Sequence, residues 1–172
     1  MRRTMTTSFV LTLLITAVLA GPAFGRARHQ STPVMWHPQT MMTGGVGGGA
    51  GATLVRRPGG VSFSMRTLDL RAGHAYTIWF VVLNNPAACN ATPCNAQDIL
   101  LNPETDAQVT YAAGHVSGGN GQAGFAGSFR VGALDGWLPG GRLANPLTAE
   151  IQLVLNDHGP KLPAYMPGMI HT

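Results

Sequence analysis

The chain has 172 residues, of which 45% are hydrophobic and only 10% are charged. Eleven basic residues against seven acidic ones give a net charge of +4, and the arginines are scattered along the sequence, so we expect no nucleic-acid-binding stripe. The 23 glycines, 12 prolines and single lysine are typical of one all-β domain with many turns, long enough to bury a core.

Residues 1–25 have the order of a secretory signal peptide. A basic Arg2-Arg3 start precedes an apolar run at 9–20, and the small residues Ala23 and Gly25 mark a cleavage site before Arg26. The run is too short for a stable membrane-spanning helix, so we expect no transmembrane helix in the mature chain. Cleavage after Gly25, or alternatively after Ala20, predicts a secreted or periplasmic protein.

Residues 26–52 show neither a helix nor a strand period and include a glycine-rich run at 44–51. They are therefore predicted to form a flexible lead-in rich in Gly and Met. The glycine run lacks the Gly-Lys-Ser/Thr ending of a phosphate-binding loop, which argues against nucleotide binding. The folded domain is expected to span residues 53–172.

Beyond Thr53, short segments with strand periodicity alternate with turn residues. Val61, Phe63 and Met65, for example, alternate with polar residues, which predicts one buried face. The predicted strands cover 54–57, 61–67, 75–83, 109–116, 122–131 and 149–156, with a hairpin turn at 58–60, a second hairpin around 117–121 and helical turns at 95–102. The pattern predicts an all-β, antiparallel β-sandwich, Ig-like or jelly-roll-like, with a barrel as the second choice.

The strand at 75–83 is apolar on both faces. One face carries alternating residues from Tyr76 to Val82, and the other carries Trp79, Val81 and Leu83. Because only one face of a sandwich strand meets the core, something must cover the second face. Either loops cover it, such as the Cys loop or the Met-rich tails, or it forms a partner or ligand patch centred on Trp79.

Cys89 and Cys94 are the only cysteines, and four residues separate them. In an exported protein an even pair predicts a disulfide, which here would close a small loop after the strongest strand. The spacing differs from the Cys-x-x-Cys of redox sites, and two thiolates alone do not complete a zinc site.

Histidines near predicted strand ends form a candidate metal site. His74 begins one strand, His115 lies near the end of another, and His158 follows a third. At one rim of a sandwich, their imidazoles could bind copper or zinc. Thioethers beside imidazoles at 35–42 and 166–171 offer a second set of ligands, suited to Cu(I).

Catalytic signatures are mostly absent. Ser117 lies in Gly-His-Val-Ser-Gly, which differs from the Gly-x-Ser-x-Gly nucleophile elbow. A hydrolase would therefore need carboxylates that converge in the fold, which their spacing does not predict.

Three segments of the chain resemble segments of a known protein family. They are the strand region 73–86 (GHAYTIWFVVLNNP), the paired-Cys loop, and 150–160 (EIQLVLNDHGP), which ends in Asp-His-Gly-Pro. Together they resemble a family of uncharacterised secreted bacterial proteins. The segments fall within residues 53–165, so the resemblance covers most of the mature chain. The resemblance implies a secreted β domain with a disulfide and implies no activity.

The sequence therefore predicts an exported, non-enzymatic protein with a binding or structural role in the cell envelope or extracellular space. Its partner would be an envelope or extracellular molecule, with no nucleic acid involved. The alternatives are a periplasmic protein that binds copper or zinc, and a secreted hydrolase.

Overall fold

The structure is a computed structural model that describes residues 27–35 and 49–171. In chain order its strands are β1 (Arg28–Pro33), β2 (Gly51–Arg57), β3 (Gly60–Thr67), β4 (His74–Leu83), β5 (Ala107–Val116), β6 (Ala123–Arg130), β7 (Gly132–Ala133), β8 (Arg142–Leu143) and β9 (Glu150–Pro160). One short helix, α1 (Ala96–Leu100), precedes β5. The predicted signal peptide lies outside the described residues, and within them no helix is long and apolar enough to span a membrane.

Two antiparallel sheets make up most of the domain. One has four strands in the order β1-β2-β3-β6, and the other has three in the order β5-β4-β9. Strands β7 and β8 pair as a separate ribbon. No sheet in the described part of the chain closes on itself, and the predicted all-β sandwich is confirmed.

The main core lies between the two sheets. Phe80 of β4 contacts Phe129 of β6, with ring centroids 4.2 Å apart. The alternation in the sequence predicted these inner faces correctly, because every second residue of β3 and β4 is apolar. The core residues of these two strands are Val61, Phe63, Met65, Tyr76, Ile78, Phe80 and Val82.

The pairing predicted for the strands that became β5 and β6 is wrong. β5 pairs with β4, and β6 pairs with β3 in the other sheet, so the segment between them crosses the sandwich. Main-chain bonds fix this crossing, from Leu70 N to Gly121 O (2.9 Å) and from Ser117 N to His74 O (2.9 Å). Alternation in the sequence shows which face of a strand is buried, but it does not show which strand lies beside it. The hairpin was predicted from proximity in the sequence alone, and that prediction failed for this reason.

The predicted flexible lead-in also needs correction, because β1 falls within residues 26–52. All six residues of β1 are exposed, and none is aliphatic, so no apolar pattern marks the strand. It is held by antiparallel pairing with β2 and by its Gln30 side chain, which accepts a hydrogen bond from Arg56 Nε. Arg56 is itself buried and donates to the carbonyls of Pro146 (2.7 Å) and Ala149 (2.8 Å).

Candidate functional site

The Cys loop and α1 cover most of the second face of β4. Val81 and Leu83 are 3% and 0% exposed and pack with Cys94, Val109 and the partly buried Ile99 of α1. The predicted disulfide is present between Cys89 and Cys94. Two of the three residues of the predicted patch are therefore inaccessible, and the explanation by loops holds for this end of the strand.

Polar side chains fasten this cover to the sheet. Glu150 Oε1, on β9, accepts hydrogen bonds from Cys94 N (3.0 Å) and from Gln152 Nε2 (2.7 Å), and Gln152 Nε2 also donates to Cys94 O (2.8 Å). Asp98 and Asn95 form a reciprocal capping box at the start of α1. Main-chain hydrogen bonds from Asn95 and Asn90 lower the pKa of the Asp98 carboxyl, which keeps the cap ionised.

Trp79 is only partly buried and belongs to an aromatic cluster, which we define as Trp79, Tyr111, Trp137 and His171. Trp137 meets Trp79 edge to face, with centroids 4.3 Å apart and planes at 71°, and is 59% exposed. Tyr111 lies directly across from Trp79 in the pairing of β5 with β4. It stacks on His171, with centroids 5.1 Å apart. The cluster joins the sheet, a loop and the C-terminal tail.

Gln108 of β5 holds the loop that carries Trp137. Its amide nitrogen donates to the carbonyls of Leu134 (3.3 Å) and Leu138 (2.8 Å), and its oxygen accepts from Leu138 N (2.9 Å) and Val109 N (2.8 Å). Gln108 is only 1% exposed. Trp137 N also donates a hydrogen bond to Val109 O (2.9 Å). A buried amide with all these bonds formed fixes the loop firmly.

Aliphatic side chains extend the surface beside the cluster. Leu100 and Leu101, at the end of α1, are 56% and 77% exposed. A cavity of about 270 Å³ lies between them and Leu138 and Pro139 of the Trp137 loop. The apolar surface is thus larger than Trp79 alone.

The C-terminal tail covers the opposite end of the second face. Lys161 N bonds to Gly73 O (2.9 Å), and the turn Gly168–Ile170 then packs on β4 and β5. Gly114 is needed at this contact, because a Cβ there would lie 1.9 Å from Ile170 O. The cluster is therefore bounded by the tail on one side and by α1 on the other.

His74 lies in a hydrogen-bonded group with Asp157 and Tyr76. Its Nδ1 lies 2.9 Å from Asp157 Oδ1, and Tyr76 OH donates to Asp157 Oδ2 (3.3 Å). Burial opposes ionisation of Asp157, but bonds from Gly159 N and His74 outweigh it and lower the pKa of the carboxyl. The group joins β4 to β9.

The three histidines predicted as metal ligands do not form one site. His158 Nε2 bonds to Thr77 Oγ1 (2.7 Å), on the face opposite to that of His74 and Tyr76. His115 lies near Phe125, with ring centroids 6.2 Å apart. Within residues 27–35 and 49–171, no three His, Cys, Asp or Glu side chains are placed to hold a metal ion.

The second predicted set of metal ligands is only partly described. Residues 36–42 lie outside the described ranges. At the C-terminus, Met169 Sδ accepts a hydrogen bond from Leu162 N (3.4 Å), while His171 stacks on Tyr111. These two side chains therefore contact the protein itself.

No family model, curated protein or solved structure matches this chain. The resemblance to secreted bacterial proteins stays a prediction, and the site must be interpreted from its own chemistry.

Ser117 lacks the surroundings of a nucleophile. It is 4% exposed, its hydroxyl donates to Arg71 O, and it accepts from His74 N (3.3 Å), so it bonds to main-chain atoms rather than to an imidazole. Asp106 pairs with Arg142 at 3.1 Å, and Glu150 anchors the Cys loop. These groups have structural partners, which gives the hydrolase alternative no support.

Sequence analysis missed Trp137, Tyr111 and His171 as parts of the site. Correct pairing of β5 with β4 would have placed Tyr111 beside Trp79. Trp137 and His171 lie outside the main sheets, so no strand periodicity locates them. The sequence offered one indication that Trp137 belongs to a site, since it is a large apolar residue inside a turn-rich segment.

Proposed function

We propose that the chain is an exported, non-enzymatic binding protein that captures an apolar segment of a partner protein in the envelope or extracellular space. The supporting observation is Trp137, a large aromatic residue that is more than half exposed yet fixed against Trp79. Rigid, exposed tryptophans of this kind are the residues that dominate binding energy at protein interfaces. Export is supported by the signal-like sequence of residues 1–25 and by the disulfide.

The shape of the cluster favours an apolar side chain as ligand over a flat sugar ring. The planes of Trp79 and Trp137 stand at 71°, so the two rings do not form one flat stacking platform. Leu100 and Leu101 add aliphatic surface around the adjoining cavity. An apolar side chain that enters between α1 and the Trp137 loop would bury surface on both.

Site-specific photo-crosslinking tests this proposal. A photoreactive phenylalanine analogue replaces Leu101, or replaces Ala72 in the turn before β4 as the matched exposed control, in the exported chain in its native compartment. We expect a protein adduct of defined mass from position 101 and none from position 72. Adding Trp137→Ala should weaken capture about thirtyfold, the equivalent of roughly 2 kcal/mol at an interface hot spot.

The outcomes separate binding from chance proximity. Equal adducts from both positions, no adduct from position 101, or an adduct insensitive to Trp137→Ala would contradict the proposal. Thermal unfolding of Trp137→Ala, compared with the parent, verifies that the exposed side chain was removed without loss of the fold.

A further inference from the structure

Charge is divided unequally between the two sheets. The strands of the four-stranded sheet contain five arginines (Arg28, Arg56, Arg57, Arg66, Arg130) and no acidic residue. The other described residues contain three basic residues and all seven acidic ones. The four-stranded sheet is therefore basic, whereas only two of the seven acidic residues, Glu150 and Asp157, lie on strands, and both belong to β9 of the other sheet.

The outer face of the four-stranded sheet, which we call the basic face, combines arginines with hydroxyl groups. Strand register places Arg57, Arg66 and Arg130 on this face, and all three are exposed. Arg56 has the opposite orientation and is buried. Among the described residues, no acidic side chain lies within 4.0 Å of these three guanidinium groups. The hydroxyl residues between them are Ser31, Thr53, Ser62, Ser64 and Ser128.

The basic face is long, and an open cavity of about 950 Å³ is lined in part by its residues Thr53, Ser64 and Arg66. Arg57 and Arg130 lie in one row on either side of Gly60, which separates them by about 10 Å at a strand spacing of roughly 5 Å. Arg66 lies six residues from Gly60 along β3, a distance of about 20 Å. Small residues such as Gly124 and Ala126 occupy the adjacent strand, so no bulky side chain interrupts the face.

We propose that the basic face docks a linear acidic polysaccharide, one that carries carboxylate groups along an extended chain. Each guanidinium offers a planar fork that binds a carboxylate through two hydrogen bonds. The hydroxyls between the arginines can exchange hydrogen bonds with sugar hydroxyls. A chain of sugars reaches both ends of the face at once, whereas a single small anion would contact one arginine.

The residues of the face favour a glycan over a membrane surface. Its strands present no exposed Phe, Trp, Tyr or long aliphatic side chain that could enter a lipid layer, and its largest aliphatic residue, Val55, is only partly exposed. Hydroxyl groups instead occupy the centre. The four-stranded sheet would then face the polymer, and the three-stranded sheet with the aromatic cluster would face away from it.

Binding to polygalacturonate, measured by titration calorimetry with the full mature chain, tests the proposal. The variant Arg57→Gln/Arg66→Gln/Arg130→Gln removes three charges from the basic face. The matched control, Arg71→Gln/Arg142→Gln/Lys161→Gln, removes three charges elsewhere and leaves the same net charge. We expect the parent to bind, with affinity falling as salt rises, and the basic-face variant to bind about tenfold more weakly or worse.

The control variant and Trp137→Ala should both bind like the parent, so this result is independent of the proposed protein partner. Equal losses in the two triple variants would show attraction by net charge alone and overturn the proposal. So would absence of binding, or equal binding of neutral dextran. Binding to phosphatidylglycerol vesicles that matches or exceeds binding to polygalacturonate would overturn it in favour of a membrane surface. All variants change exposed residues, and thermal unfolding confirms that each is folded.

Discussion

Replacing Gln108 with leucine would detach the loop that presents Trp137 while nearly preserving the volume of a buried side chain. The amide makes three hydrogen bonds to that loop, two to Leu138 and one to Leu134, and a fourth to Val109 N. Leucine can make none of them. The change therefore separates polar anchoring from packing.

The expected cost is about 2–4 kcal/mol of unfolding free energy. Each net hydrogen bond contributes about 1 kcal/mol, and a buried donor left without a partner costs roughly 1–3 kcal/mol. Val109 is 5% exposed, so its N–H would lose its partner inside the protein. Leu134 and Leu138 are half-buried, so their main-chain groups can form hydrogen bonds with water instead. The expected loss of stability is therefore smaller than the sum of the four hydrogen bonds and the unpaired donor.

Urea unfolding measures the stability, and tryptophan emission in a Trp36→Phe background reports on the loop. We expect a lower urea midpoint and a red-shifted emission, since Trp137 would leave its contact with Trp79. Gln122→Leu, which changes an exposed glutamine, is the matched control and should alter neither value. An unchanged midpoint and emission maximum for Gln108→Leu would refute the assignment of Gln108 as the anchor of the site.

Two further predictions concern the ends of the three-stranded sheet. Asp157→Asn should cost about 1 kcal/mol at neutral pH, discounted for solvent exposure, because a lowered pKa means that the ionised carboxyl stabilises the fold. The stabilisation by the ionised carboxyl is complete above the unfolded-state pKa of about 4 and is lost as the pH falls through the lower folded-state pKa. The free energies of unfolding of parent and variant, measured against pH, should therefore converge in acid. A constant difference across the pH range would contradict this prediction. Cys89→Ser/Cys94→Ser should lower stability by about 2 kcal/mol, measured by urea unfolding, and reductant should affect only the parent; a parent midpoint unchanged by reductant would argue against a stabilising bridge.

Local patterns predicted the fold class well because the β-sandwich signal is repeated in each strand. Alternation along β3 identified Val61, Phe63 and Met65 as inward-facing, and all three are buried. Strand partners depend instead on contacts distant in sequence. β3 pairs with β6 across more than fifty residues, a choice that no short window of sequence contains.

The candidate site was only partly predictable for the same reason. The double apolar face of β4 correctly showed that something must cover it, and Cys89 and Cys94 correctly indicated a disulfide. The sequence left open whether Val81 lies under a loop or in a partner patch, because its cover, α1, packs through tertiary contacts. His74 was expected to approach other histidines, yet its partner is Asp157, which the register of β4 with β9 brings close.

The exposed strand β1 also bears on self-association. An unpaired sheet edge offers free main-chain donors and acceptors on which another copy of the chain can add a strand and begin to aggregate. β1 occupies the edge that β2, with Leu54 and Val55, would otherwise present. Its own outer margin is short and polar and ends at Pro33, which has no N–H to donate. Cleavage at either predicted position would leave β1 in the mature chain, which would then keep its protection against edge-to-edge polymerisation.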